Sequence, residues 1–147
     1  MPNNIGNLYE NLDLTKYNTY HIKTSTKYMI CPKNTDELIN LFKYIKNDNI
    51  KYFIIGNGSN VILSDTKFNG ILISLKNMNK IELLPDNRLN VMAGAMLPIV
   101  ANYAINNNLK GLEWAVGIPG TLGGAIYGNA EAYLCPIMNY VKEITIL

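Results

Sequence analysis

Tyr52-Phe53-Ile54-Ile55-Gly56-Asn57-Gly58-Ser59-Asn60-Val61-Ile62-Leu63 is the stretch on which the fold turns. Four apolar residues read as a buried strand, and the strand runs straight into a glycine loop. Glycine has no Cβ, so its backbone can turn left-handed, and successive free N–H groups form a concavity for anions, phosphate above all. The Ser59 hydroxyl and Asn60 amide can add hydrogen bonds. A Rossmann dinucleotide site needs a third glycine and a helix opening on the pyrophosphate. Here Val61 stands at the third glycine position, and Val61-Ile62-Leu63 reads as extended. The loop has no lysine, which excludes a Walker-type phosphate loop. Phosphate binding by backbone survives, and both common nucleotide folds fall away. The plain alternative for Gly56 to Asn60 is a tight strand–strand turn.

A second glycine stretch, Gly117-Ile118-Pro119-Gly120-Thr121-Leu122-Gly123-Gly124-Ala125, has two readings. Pro119 can stiffen a kinked helix entry in which Gly123 and Gly124 allow close packing. Alternatively the stretch is a wall of backbone lying against a flat ring system. Two such stretches in one chain, each beside an apolar run, point to a large phosphate-bearing ligand.

Between and around them the elements read as follows. Residues 1–16 form an irregular, Asn-rich lead-in. Lys27 to Cys31 is a strand stopped by Pro32. Asn34 or Thr35 caps a helix with Asp36 and Glu37 at its positive end and Leu38, Leu41, Phe42 and Ile45 on one face. Gly70 to Leu75 is another apolar run. A hairpin joins Lys80–Leu84 to Leu89–Ala93 across Pro85-Asp86-Asn87. Pro98 suits the first turn of a helix to about Asn107, with Ile99, Val100, Tyr103 and Ala104 on its apolar side. Val141 to Leu147 alternates like a strand and has no turn or polar tail after it, from which we expect a chain cut short.

Composition limits the function. With 48% apolar and 16% charged residues among 147, the chain is a globular protein able to bury a core. The formal charge is +2, lysines are scattered, and Arg88 is the only arginine, so no nucleic-acid footprint exists. Cys31 and Cys135 lie far apart without ligand spacing, and His21 is the only histidine; no metal site is expected, and two buried thiols in a reducing compartment are. The polar stretch from Met1 to Leu14 is no signal segment and no run spans a bilayer, which gives a cytoplasmic expectation with no membrane partner. Tyr20, Tyr127 and Tyr133 can stack on a ring, but tyrosine is abundant and serves as filler elsewhere. Trp114 reads as core, and Glu113, Glu131 and Glu143 as surface carboxylates. No catalytic residue can be assigned.

Taken together, Asn18-Thr19-Tyr20-His21-Ile22, Gly56 to Leu63, and Gly111-Leu112-Glu113 through Asn129-Ala130 resemble the UDP-N-acetylenolpyruvoylglucosamine reductases. These are the MurB family of UDP-N-acetylmuramate dehydrogenases, FAD enzymes of peptidoglycan precursor synthesis. The likeness runs from about Thr15 onward. It implies an α+β FAD-binding fold of the vanillyl-alcohol oxidase (PCMH) type, with FAD between two subdomains, 17–76 and an incomplete 77–147. It implies that Gly56, Asn57, Gly58, Ser59 and Asn60 hold the FAD pyrophosphate. Gly117, Ile118, Pro119, Gly120, Gly123, Gly124 and Asn129 would lie along the ribityl chain and isoalloxazine.

By the same resemblance, NADPH reduces the flavin, a hydride passes to the enolpyruvyl double bond of the UDP-sugar, and a protein acid protonates the product enolate. The family's catalytic arginine, serine and glutamate, and its substrate domain, correspond to nothing before Leu147, so a second chain supplying that half is an expected partner. The alternative is a non-catalytic FAD-binding module or a decayed fragment. Two departures stand out. Thr24-Ser25 replaces paired glycines, and Glu131 and Leu134 replace glycines in Asn129-Ala130-Glu131-Ala132-Tyr133-Leu134. At positive φ either of the latter would strain its loop by roughly 1 kcal/mol or more.

Overall fold

Backbone pairing rather than side-chain pattern makes the first strand. In the computed structural model, which describes residues 2–63 and 66–147, β1 (Asn7–Asp13) pairs antiparallel with β2 (Ser25–Cys31), from Asn7↔Cys31 to Asp13↔Ser25. Met1, Ser64 and Asp65 lie outside the described residues. Every β1 residue except Leu12 is exposed, so no alternation of apolar residues announces the strand. The expected irregular lead-in over 1–16 is therefore corrected at 7–13. Polar residues form a strand there because the edge of β2 supplies the hydrogen-bonding groups.

The chain divides into two compact units, Met1–Met78 and Asn79–Leu147. In the first, β2 leads through Pro32 into α1 (Thr35–Asn47), and Asn34 caps that helix by accepting the Glu37 N–H at 2.9 Å. Such a cap is worth about 1 kcal/mol. The chain returns as β3 (Tyr52–Ile55) and β4 (Lys67–Ser74), giving the strand order β1-β2-β4-β3. β4 is parallel to both neighbours and central, and Gly70 to Ser74 are all buried. A strand covered on both faces must read as a continuous apolar run. Ile71 and Ile73 face Leu41 and Ile45 of α1 with Ile30, while Leu72 packs on the other face with Leu14, Met29, Cys31 and Ile55. α1 thus covers one face, and the Leu14–Tyr17 segment part of the other.

β3 departs from expectation. Only Ile55 is buried, and Tyr52, Phe53 and Ile54 are 45%, 41% and 46% exposed, because β3 is the edge strand of the sheet. Val61 to Leu63, read as extended, belong to no strand.

The second unit begins with the expected hairpin. β5 (Ile81–Leu83) pairs with β6 (Leu89–Val91), closed by the Leu84 N–H on the Arg88 carbonyl at 2.8 Å and by Asn87 at φ +60°. α2 (Leu97–Asn106) buries Leu97, Val100, Ala101 and Ala104. Its buried face is therefore shifted from the expected one, and Ile99 is 58% exposed. A 3₁₀ turn (Glu113–Gly117), the short helix α3 (Leu122–Tyr127) and a hairpin of β7 (Glu131–Ala132) with β8 (Cys135–Pro136) follow. Leu97, Ala101, Ala115, Ala125 and Ile137 form this unit's core, with Trp114 packed at its margin. The alternating Val141–Leu147 segment is not a strand. Alternation sorts side chains into two faces, but a strand exists only where a neighbouring backbone pairs with it, and none does among the described residues.

Candidate cofactor site

Parallel strands β2, β4 and β3 end level with one another, since Ile30 and Ile54 both stand beside Ile73 and Ile55 stands beside Ser74. The Gly56–Asn60 loop leaves the sheet at this carboxyl end, which is where open α/β sheets bind ligands. Gly56, Asn57 and Asn60 are exposed, Ser59 is half-buried and Gly58 is buried. Among the described residues, the N–H groups of Asn57, Gly58, Ser59 and Asn60 donate to no protein acceptor, nor do the side chains of Asn57, Ser59 and Asn60. Four consecutive free donors at a strand end fit an anion such as a pyrophosphate.

Gly58 has a second, internal reason to be glycine. Its φ is +67°, and a Cβ there would stand 2.1 Å from the Tyr17 carbonyl oxygen. The Thr19 N–H donates to the Gly58 carbonyl at 3.2 Å. Asn18 holds this supporting turn: its side chain donates to the carbonyls of Leu14 (2.9 Å) and Ile22 (3.1 Å) and accepts the Ile22 N–H (2.9 Å). The sequence alone does not mark Tyr17, Asn18 and Thr19 as site residues. The nearest signal is that Asn18-Thr19 belongs to the motifs carrying the family resemblance.

In the second stretch the helix entry has the opposite hydrogen-bonding state. The Leu122 and Gly123 N–H groups donate to the carbonyls of Ala95 and Ala93, both at 2.8 Å, and the Gly124 N–H meets the Thr121 hydroxyl at 3.3 Å. The Leu97 N–H returns to the Gly120 carbonyl at 2.8 Å, beside a bridge between Met96 and Thr121. With its first-turn donors satisfied by protein, α3 is no anion site. Gly123 is packed so closely on Ala93 that a Cβ would come within 2.8 Å of the Ala93 Cβ. Gly117 differs: nothing stands within 4 Å of where its Cβ would be, and it is exposed together with Pro119, Gly124 and Asn129. Ile118 and Gly120 are half-buried. This is a bare backbone surface, suited to a flat apolar group more than to phosphate. Asn129 turns left-handed at φ +44°, and its side chain accepts the Met138 N–H at 3.4 Å.

The two lost glycines part ways. Glu131 lies in extended β7, so it carries no left-handed strain. Leu134 sits at φ +62° after Tyr133 at φ +54°, the geometry of a two-residue type I′ hairpin turn that favours Asn-Gly. Leu134 is 89% exposed and gains no packing in return. Leu134→Gly is accordingly expected to raise stability by about 1 kcal/mol, read as a higher urea midpoint at unchanged slope.

Other reactive groups are unremarkable. Burial pushes the Cys31 thiol up against the opposing charge of Lys76 and a hydrogen bond with Ser74, so it is a poor nucleophile. Cys135 is only half-buried, contrary to the expectation of two buried thiols. Glu113 accepts the Gly111 N–H at 2.7 Å and thereby closes its own loop. No group of three or more His, Cys, Asp and Glu side chains able to hold a metal ion gathers among the described residues.

The fold is α+β, and its mixed sheet, with a glycine loop at the end of its parallel strands and joined in sequence to a second α+β unit, is that of the vanillyl-alcohol oxidase type of flavoprotein. A family model described as FAD binding domain matches residues 26–147, and the chain belongs to that family. It is 44% identical over 120 residues to the UDP-N-acetylenolpyruvoylglucosamine reductase of Caldicellulosiruptor saccharolyticus, covering 82% of this chain and 38% of that protein. The namesake enzyme of Caldanaerobacter subterraneus subsp. tengcongensis is 35% identical over 142 residues, 97% of this chain and 47% of that one. The crystal structure of UDP-N-acetylenolpyruvylglucosamine reductase (MurB) from Thermus caldophilus superposes with a TM-score of 0.71 at 25% identity, over 87% of this chain and 44% of that one. An alkyldihydroxyacetonephosphate synthase, 18% identical over 81% of this chain and 24% of its own, shares the fold at a TM-score of 0.62. The chain spans less than half the length of each of these relatives.

Proposed function

We propose that this chain is the FAD-holding part of a UDP-N-acetylenolpyruvoylglucosamine reductase. The observation that carries the reading is the row of N–H donors from Asn57 to Asn60, without an acceptor among the described residues, at the carboxyl end of three parallel strands, in a chain of the FAD binding domain family. Gly56, Asn57, Gly58, Ser59 and Asn60 hold the pyrophosphate. The backbone around Gly117, Ile118, Pro119 and Gly120, with Gly123, Gly124 and Asn129, lies along the ribityl chain and isoalloxazine. Residues 17–76 and 77–147 act as the two FAD-binding subdomains. Bound FAD supplies a two-electron carrier, charged by NADPH, for reducing the enolpyruvyl double bond of UDP-N-acetylglucosamine enolpyruvate in the cytoplasm.

What this chain contributes is binding and orientation. The donors of the first loop solvate phosphate charge by hydrogen bonding, with no lysine or arginine in the loop, and the bare surface at Gly117 admits a ring at van der Waals distance. The UDP-sugar and the proton donor are handled by the portion of the relatives that this chain does not span, and a second polypeptide carrying that portion is the partner we propose. A second reading is a module that binds FAD but turns nothing over alone.

Titration of the chain with FAD, followed by flavin fluorescence, tests the reading; saturable one-to-one binding is expected, and its absence ends both versions. Gly117→Ala makes the test local. The added methyl meets open space in the protein, so melting temperature is unchanged while FAD affinity falls roughly tenfold. Oxidation of NADPH with the enolpyruvyl substrate by this chain alone decides between enzyme and module.

A further inference from the structure

We propose that Asn18 is the positioning residue of the Gly56–Asn60 loop and acts through the backbone of Tyr17 and Thr19; this rests on the reading of that loop as the pyrophosphate holder. Asn18 is 2% exposed. Both hydrogens of its amide are used, on the carbonyls of Leu14 and Ile22, and its oxygen takes the Ile22 N–H. Aspartate has no donor for those carbonyls and serine only one, so two donors and an acceptor on so short a stem require asparagine.

These bonds close residues 14–22 into a ring with Asn18 at its hub. The Tyr17 N–H on Leu14 (2.8 Å), the His21 N–H on Asn18 (3.2 Å) and the Leu14 N–H on Thr24 (2.8 Å) complete it. Two backbone groups of this ring grip Gly58. The Tyr17 carbonyl fills the space in front of its Cα, and the Thr19 N–H holds its carbonyl. Gly58 joins the peptide planes that carry the free donors on either side of it. A shift of Tyr17 or Thr19 therefore reorients those N–H groups.

Two variants of the full chain test this. Thr19→Pro removes both Thr19 donors to the Gly58 carbonyl, the N–H at 3.2 Å and the hydroxyl at 3.5 Å, while leaving every Asn18 bond. The change suits the fold: Asn18 is extended at φ −134°, ψ 142°, as a residue before proline must be, and Thr19 is the first central residue of a turn. Asn18→Ala removes the hub itself, with Asn18→Ser in its place should the alanine variant not fold. FAD affinity and the backbone order parameters of Asn57 to Asn60 in the free protein are the two measurements. One net hydrogen bond corresponds to about a tenfold weaker FAD affinity. We expect that loss in both variants, with order parameters reduced at Asn57 to Asn60 and a melting temperature lowered by only a few degrees in Thr19→Pro.

An affinity within twofold of wild type, together with unchanged order parameters, in either variant overturns the proposal. If the wild-type chain binds no FAD, the functional reading fails separately, and the order parameters alone decide whether Asn18 positions the loop.

Discussion

Gly58→Ala is expected to abolish the proposed FAD binding and to lower folding stability by about 3 kcal/mol. Two costs fall on the same atom. At φ +67° an alanine is left-handed, which costs roughly 1–2 kcal/mol. Its methyl would also stand 2.1 Å from the Tyr17 oxygen and 3.0 Å from the Asn18 Cα. Those are backbone atoms of a turn tied to Leu14, Ile22 and Thr24, so they cannot swing aside as a side-chain tip would. Overpacking of that kind adds about 1–3 kcal/mol. The loop then relieves the overlap by moving, and the donors of Asn57 to Asn60 move with it. Urea unfolding and FAD titration measure the two effects. A Gly58→Ala protein with wild-type stability would mean the loop does not rest on Tyr17 as described.

How far the sequence discloses this site depends on whether a feature is local. Gly-Asn-Gly after an apolar run is local, and so are the Asn34 cap and the Pro98 helix start; each was legible and each is in place. The polar strand β1 was not legible, because its existence depends on the edge of β2 and not on its own residues. The converse holds for 141–147, where alternation is present and a pairing strand is not. β3 shows the same limit for burial, since Tyr52, Phe53 and Ile54 have the composition of a core strand but the position of an edge. Glycine is ambiguous for a related reason. In the sequence Gly58, Gly117 and Gly123 look alike, yet one is left-handed against backbone, one faces open space and one packs on Ala93.

That difference gives the two glycine stretches distinct physical jobs. Among the described residues the first leaves consecutive donors unspent, which in a folded protein is costly unless water or an anion takes them. The second spends the Leu122 and Gly123 donors on Ala95 and Ala93, and around Gly117 it offers a bare surface. A dinucleotide such as FAD has both a charged and a flat apolar portion, so a chain that presents one loop of each kind is matched to it in chemistry.

Gly123→Ala separates a packing role from a contact role at the second stretch. The new methyl would lie 2.8 Å from the Ala93 Cβ and 3.0 Å from its oxygen, and the Gly123 N–H already donates to that same oxygen. α3 must therefore back away from Ala93, which stretches the Gly123 bond and, beside it, the Leu122 N–H on Ala95 and the Leu97 N–H on Gly120. Alanine returns about 1 kcal/mol through its better helix propensity, against an overpacking cost of about 3 kcal/mol, so the expected net loss is about 2 kcal/mol. Ala93→Gly combined with Gly123→Ala restores the space between the two side chains. If packing is the cause, a urea-based double-mutant cycle gives a favourable coupling of about 1 kcal/mol, incomplete because the Ala93 carbonyl remains close. A Gly123→Ala protein as stable as wild type that nevertheless binds FAD more weakly would instead make Gly123 a residue in direct contact with the flavin.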